Sequence, residues 1–219
     1  MQLVYVGDPM CSWCYGFGKE LSAVLAAEPE ISLEIVVGGL RAGGTEVLDA
    51  AGKQFRLTHW ARVEDASGLP FNREALMARK DFVYDTEPIC RAVVAARILA
   101  PEAPLLDVFR ALQRAFYVDG LDTTDPTTLA SVTALALTEL GSPATTEEVL
   151  QIYQSPATVE ETRDDFRKAR ALGINSFPAL LMEVDGSYYP ITPGYASAGE
   201  VMANIKALRE RLGGTSAIH

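Results

Sequence analysis

The chain has 219 residues, a net charge of −10, 48% hydrophobic and 22% charged residues, the balance of a globular protein able to bury a large core. That charge argues against nucleic acid or an anionic membrane as partner, since basic clusters would be expected there. No apolar run approaches the ~18 residues of a membrane span, and the first strand begins by residue 2 or 3 with no leader-like segment before it. The expectation is a cytoplasmic protein.

Leu3-Val4-Tyr5-Val6-Gly7 reads as a short strand buried on both faces. Asp8-Pro9-Met10-Cys11-Ser12-Trp13-Cys14-Tyr15-Gly16-Phe17 follows at once. Then Leu21, Val24 and Leu25 recur at helical spacing between Lys19 and Ala27. The two cysteines therefore lie where a strand ends and a helix begins, with Cys11 at or next to the N-cap. Residues three apart in a first turn share a face, within reach of the ~4.4–6.8 Å Cα separation of a disulfide. The free N–H groups and positive dipole end of a helix favour thiolate over thiol and can bring a cysteine pKa from about 8.5 to about 3.5–7.5. Cys11, nearer those N–H groups, is the expected nucleophile, and Cys14 the less exposed resolving thiol.

A structural disulfide closing so short a loop would constrain little of the unfolded chain. A zinc site needs four ligands, and only Cys90, His59 and His219 remain, in no ligand-like spacing. No metal is expected. Asp8, three residues before Cys11, is a candidate proton relay or a loop cap. Trp13 is expected as a partly exposed apolar contact for substrate.

Ile31 to Val37 is a second apolar strand, making a βαβ unit with the first. Gly38-Gly39 with Gly43-Gly44 reads mainly as a turn leaving the sheet rather than a loop touching the thiols. From Thr45 to about Ser155 the strand signal disappears. Val47 to Val63 suggests one or two helices before a break at Gly68-Leu69-Pro70, and Thr86-Glu87-Pro88 starts another. Leu105–Val118, the run opened by Asp125-Pro126, Thr146–Tyr153 and Val159–Leu172 continue the series. Cys90, inside an apolar helical segment, is expected to be packed, and His59 to be a surface or partly packed side chain. Asp119, Asp122 and Asp125 lack the alternation of a calcium loop and suit turn and N-cap roles.

Strands return at Ala179–Val184, with Asp185-Gly186 as a two-residue hairpin turn and Tyr188–Ile191 as an edge partner holding Pro190. A helix over Ala198–Leu212 closes the chain, ending at Gly213-Gly214 before a loose tail. The order βαβ, helices, hairpin, helix predicts an α/β chain: a thioredoxin fold with an all-helical insertion. Segments 1–40 and 158–219 form the thioredoxin-fold domain and 41–157 the insertion. Pro178, between a helix end and the hairpin, is a candidate cis-proline. Having no N–H, it leaves neighbouring backbone groups to pair with an extended substrate. Phe177 and Pro178 are thus candidate substrate-binding residues with Trp13.

The Asp8–Phe17 stretch and Gly173-Ile174-Asn175-Ser176-Phe177-Pro178-Ala179-Leu180 together resemble the DsbA-like family. The likeness is greater to its cytosolic FrnE-like, or predicted protein-disulfide isomerase, branch. Gly38-Gly39-Leu40, Trp60-Ala61-Arg62-Val63 with Gly68-Leu69-Pro70-Phe71, and Phe116–Asp122 are similar to that branch too. The resemblance implies a thioredoxin domain with a helical cap, Cys11 as nucleophile, Cys14 as its partner and Pro178 in cis. Two positions depart from it: Ser12-Trp13 replaces the Pro-His pair of strongly oxidising relatives, and Phe177 stands where valine or threonine is common. Kappa-class glutathione transferases and 2-hydroxychromene-2-carboxylate isomerases share the architecture but carry serine at the nucleophile position.

The function expected is thiol–disulfide oxidation, reduction or isomerisation on protein or peptide cysteines, with no bound cofactor and with glutathione as candidate redox co-substrate. Two other readings stay open. One is a glutathione-linked transferase or isomerase acting on a small molecule, and the other a non-catalytic DsbA-like adaptor that binds a partner protein.

Overall fold

β1 (Gln2–Gly7) and β2 (Ser32–Val37) lie parallel, Leu3 opposite Leu33 and Gly7 opposite Val37, joined by α1 (Ser12–Ala27). A computed structural model describes residues 1–215 of the chain. β3 (Ala179–Val184) runs antiparallel to β1, and β4 (Ser187–Thr192) antiparallel to β3, giving the order β2-β1-β3-β4. The hairpin turns at Asp185 (φ 50°) and Gly186 (φ 79°), the left-handed pair that a two-residue loop requires. Pro190 sits on the edge strand, as expected.

Alternation along the strands serves two buried faces. Leu3, Tyr5, Ile35, Val37, Leu180 and Met182 point to the side covered by α1 and the last helix, α9 (Ala198–Thr215). Val4, Val6, Val36, Ala179 and Leu181 point the other way, with Ala169 and Leu172. Burial on both faces is why the strands read as continuous apolar runs.

Between β2 and β3 the chain forms α2 (Ala50–Ser67), α3 (Arg73–Ala78), α4 (Glu87–Leu99), α5 (Leu105–Tyr117), α6 (Pro126–Glu139), α7 (Thr146–Tyr153) and α8 (Pro156–Ala171). Asp49, Asn72, Asp125, Thr145 and Ser155 cap five of these with side-chain oxygens, satisfying N–H groups that the first turn leaves free. Asp125 is thus an N-cap. Gly68 at φ 70° ends α2. The fold is the expected one, a thioredoxin-type sheet with a helical insertion. One hydrophobic cluster runs from Leu3 and Tyr5 through Phe17 and Phe109 to Trp60 and Phe116, so the helices and the sheet share a core.

Three details differ from the sequence reading. α3 was not anticipated: it is six residues long and only Leu76 is buried, too little to make a periodic stripe. α9 continues through Gly213 to Thr215, because Gly213 keeps a helical backbone and forms no left-handed cap. The expectation for the tail beyond Thr215 falls outside the described residues. The loop after β2 is the third, and it belongs to the site. Its exit point is pinned by Asp165 on α8, which accepts from the Val37 N–H (3.0 Å) and pairs with Arg97 of α4. Arg97 also donates to the Ile35 carbonyl. Among the described residues no helix is long and apolar enough to cross a membrane.

Candidate active site

Cys11 is the N-cap of α1, with extended backbone (φ −85°, ψ 117°) and no side-chain cap. Its N–H donates to the Asp8 carbonyl and its own carbonyl accepts from Tyr15, each at 3.0 Å, so the turn is closed by backbone alone and the sulfur takes no part in capping the helix. Cys14 lies one turn in, and the two sulfurs are not bonded to one another. Cys11 keeps 7% of its surface exposed and Cys14 none, the order expected for attacking and resolving thiols. Burial pushes the Cys14 thiol well up, and the facing Cys11 thiol adds to this. The Asp8 N–H, 3.5 Å from Cys14 Sγ, and the Tyr5 hydroxyl pull the other way.

The segment before β3 meets this helix start across 166 residues of chain: Cys11 Sγ lies 3.5 Å from the Phe177 carbonyl oxygen. The Phe177–Pro178 peptide bond is cis. Pro178 is buried and Phe177 half-buried. The Phe177 ring lies over Gly38, where a Cβ would come within 2.2 Å of it, and the Phe166 ring lies similarly over Gly39 (φ 61°). The glycine pair is therefore a seat for two aromatic rings.

That pair does not lead the chain away from the thiols, as the sequence suggested. Leu40 N–H donates to Asp8 Oδ2 at 2.6 Å and Arg41 N–H to Thr86 Oγ1 at 3.1 Å. A donor 32 residues downstream cannot be read from local sequence. Asp8 is fully buried. It also accepts from Met10 N–H through Oδ1, and the Cys90 thiol lies 3.7 Å from Oδ2. Burial raises its pKa to about 6 against the pull of these donors. Its side chain clamps the loop, while its backbone N–H faces Cys14. Cys90 is fully buried and its thiol is pushed well up, by burial first and then by the Asp8 charge.

Above Cys11 opens a cleft of about 290 Å³ lined by Met10, Ser12, Trp13, Leu40, Arg41, Phe55, Arg56, His59, Trp60 and Tyr84. Trp13 is half-buried against the Tyr195 ring at 5.6 Å. The Tyr84 hydroxyl donates to the Met10 carbonyl at 2.6 Å, fixing the residue before the nucleophile. Sequence reasoning placed Trp13 here but missed Leu40, Arg41, Phe55, Arg56 and Tyr84, and gave His59 no role. Phe55, Arg56, His59 and Trp60 share one face of α2, but that face carries no hydrophobic period by which the sequence could mark it.

The arrangement can form and resolve a mixed disulfide. A sulfur that borders the cleft sits at a helix N-terminus, a fully buried second thiol stands behind it, and a backbone carbonyl borders the open side. No protein-family model and no curated protein matches the sequence. Among solved structures, a candidate protein disulfide isomerase from Nitrosomonas europaea is 30% identical, with a TM-score of 0.83 over 96% of this chain and 98% of that one. The cytosolic disulfide reductase DsbM from Pseudomonas aeruginosa, 23% identical, matches with a TM-score of 0.75 over 95% of this chain and 99% of that one. It has also been solved with glutathione (GSH): 22% identity, TM-score 0.73, 95% and 100% covered. A 2-hydroxychromene-2-carboxylate isomerase shares the fold at 14% identity and a TM-score of 0.61, over 99% of this chain and 98% of that one. With full-length likeness to the Nitrosomonas protein and the sheet, insertion and dithiol helix start in place, the chain belongs to the DsbA-like thioredoxin-fold family.

Proposed function

We propose that the chain is a thiol–disulfide oxidoreductase or isomerase acting on protein or peptide cysteines, of the FrnE-like branch, with Cys11 and Cys14 as its redox pair. The observation that carries this is Cys11 Sγ at the α1 N-cap, open to a cleft and bordered by the Phe177 carbonyl. In the reducing direction the Cys11 thiolate attacks one sulfur of a substrate disulfide. A Cys11–substrate bond forms, the substrate S–S bond breaks, and the departing thiolate takes a proton. Cys14 then loses its proton and attacks the Cys11 sulfur, releasing the second substrate thiol. Two electrons pass to the substrate, and the protein is left with a Cys11–Cys14 disulfide.

Phe177, Pro178 and Trp13 form the walls against which the substrate chain lies. Asp8, with a pKa of about 6 and its N–H on Cys14, is the group proposed to exchange the resolving proton. Segment 41–157 serves as a helical cap on the thioredoxin domain of 1–40 and 158–219. A cytosolic setting with glutathione as co-substrate accords with the DsbM likeness.

The test is Cys14→Ser, in which serine keeps the size of the resolving residue but cannot displace a mixed disulfide. The variant is expected to accumulate protein adducts released by reductant, and Cys11→Ser and the double variant none. Glutathione as the sole adduct would move the assignment to small-molecule chemistry. Equal, reductant-insensitive partner capture by all three would make the chain an adaptor.

A further inference from the structure

The Cys11 cleft carries a charge at odds with the rest of the chain. The net charge is −10, yet the cationic side chains lining the cleft are Arg41 and Arg56, and neither has a carboxylate within ion-pair distance among the described residues. Arg56 is the half-buried one of the two, and elsewhere half-buried arginines are paired: Arg79 with Asp122, Arg91 with Glu87, Arg97 with Asp165 and Arg209 with Glu28.

Arg56 is half-buried and held by contacts that leave its charge unmatched, while Arg41 is exposed and fixed through its backbone. The Arg41 backbone is fixed through Thr86 and its neighbour Leu40 through Asp8. Arg56 lies 4.0 Å over the Tyr84 ring and donates one N–H to the Gly52 carbonyl at 3.1 Å. Burial holds the Arg56 guanidinium below its ordinary pKa; Tyr84 works against this and Arg41 adds to it, so the two cations repel one another. A half-buried cation facing a second one, with no carboxylate in ion-pair contact, is an unfavourable arrangement that an incoming anion would relieve. The cleft continues past these residues into a groove of about 750 Å³ that shares Arg41, Phe55, Arg56 and Tyr84. The volume suits a small ligand or a peptide segment. Glu46 and Asp49 line that outer groove, not the cleft at Cys11.

We propose that Arg41 and Arg56 form an anion subsite beside Cys11, which selects thiols and disulfides carrying a carboxylate close to the reacting sulfur. This deepens the redox reading of Cys11 and rests on it for the identity of the reacting group. A guanidinium presents a planar fork of donors to a carboxylate, so the subsite would orient the substrate sulfur as well as attract it.

Two unreactive probes separate binding from chemistry: S-methylglutathione, and an acidic peptide with serine in place of cysteine. Titration calorimetry on the wild type, R41Q, R41K and R56Q is expected to show that at least one probe binds. That binding should weaken with salt, fall about tenfold in R41Q and R56Q, and fall less in R41K, which keeps the charge but not the fork. Binding of S-methylglutathione assigns the carboxylate to a small thiol, and binding of the peptide alone assigns it to a polypeptide. In turnover, the rate ratio for oxidised glutathione over hydroxyethyl disulfide is expected to fall about tenfold in R41Q. Binding of neither probe, or binding indifferent to R41Q and to salt, overturns the subsite. Arginine-dependent binding without turnover of either disulfide would leave the subsite standing and remove the redox reading instead.

Discussion

The ring of Phe177 fills the space that a side chain at Gly38 would need: a Cβ there would lie 2.2 Å from Phe177 Cζ. Phe177 also supplies the carbonyl that borders Cys11 Sγ, so the glycine at the end of β2 sets the wall of the thiol site.

Gly38→Ala is therefore expected to displace the Phe177 ring and, with it, the carbonyl beside Cys11. Overpacking of this kind costs about 1–3 kcal/mol. Disulfide exchange should suffer more than folding does, whereas Gly38→Ala combined with Phe177→Val should recover most of both. Urea melts and exchange rates on the same samples decide the matter. Loss of stability with undiminished exchange would detach Phe177 from the site.

Asp8 makes stability depend on acidity. Its folded pKa is raised from 3.8 to about 6, so the fold favours the protonated form. That contribution is whole below the unfolded value and is lost as pH rises through the folded one, amounting to about 3 kcal/mol. Wild-type stability should fall between pH 4 and 6 relative to Asp8→Asn, which cannot titrate. Parallel stability curves for the two proteins across that window would remove Asp8 as the cause.

The thiols should be chemically distinct. Cys11 borders the cleft at a helix start and keeps 7% exposure, while Cys14 and Cys90 are fully buried with their thiols pushed up. Iodoacetamide at neutral pH is expected to modify Cys11 first, and Cys14 and Cys90 only on unfolding. Mass mapping that found Cys14 modified at the Cys11 rate would reverse the assigned roles.

What could be read from sequence follows physical range. The strands and the position of Cys11 were legible because burial on both faces and the strand-to-helix break are local properties. The Leu40 N–H bonded to Asp8 was not, since its partner lies 32 residues back. Nor was the cleft face of α2: Trp60, Val63 and Ser67 are its buried residues, and Phe55 stays 64% exposed. A helix whose working face points to solvent carries no hydrophobic period to announce it.

Tyr5 offers a sharper test of the resolving step. It is fully buried on β1, and among the described residues its hydroxyl makes no hydrogen bond of ordinary geometry but faces Cys14. Burial disfavours the Cys14 thiolate, and the Tyr5 hydroxyl opposes that as a donor to the charged form. Tyr5→Phe removes the donor without opening a cavity, because the ring keeps its packing on Phe17 and Phe109. Replacing an unpaired buried hydroxyl by hydrogen should leave stability within about 1 kcal/mol of the wild type. The thiolate of Cys14, though, becomes scarcer at a given pH. Breakdown of the Cys11 mixed disulfide is expected to slow by about tenfold at neutral pH, its pH–rate profile moving to higher pH, while formation of that disulfide is unaffected. If formation and breakdown slowed together, or the profile stayed in place, Tyr5 would act through packing alone.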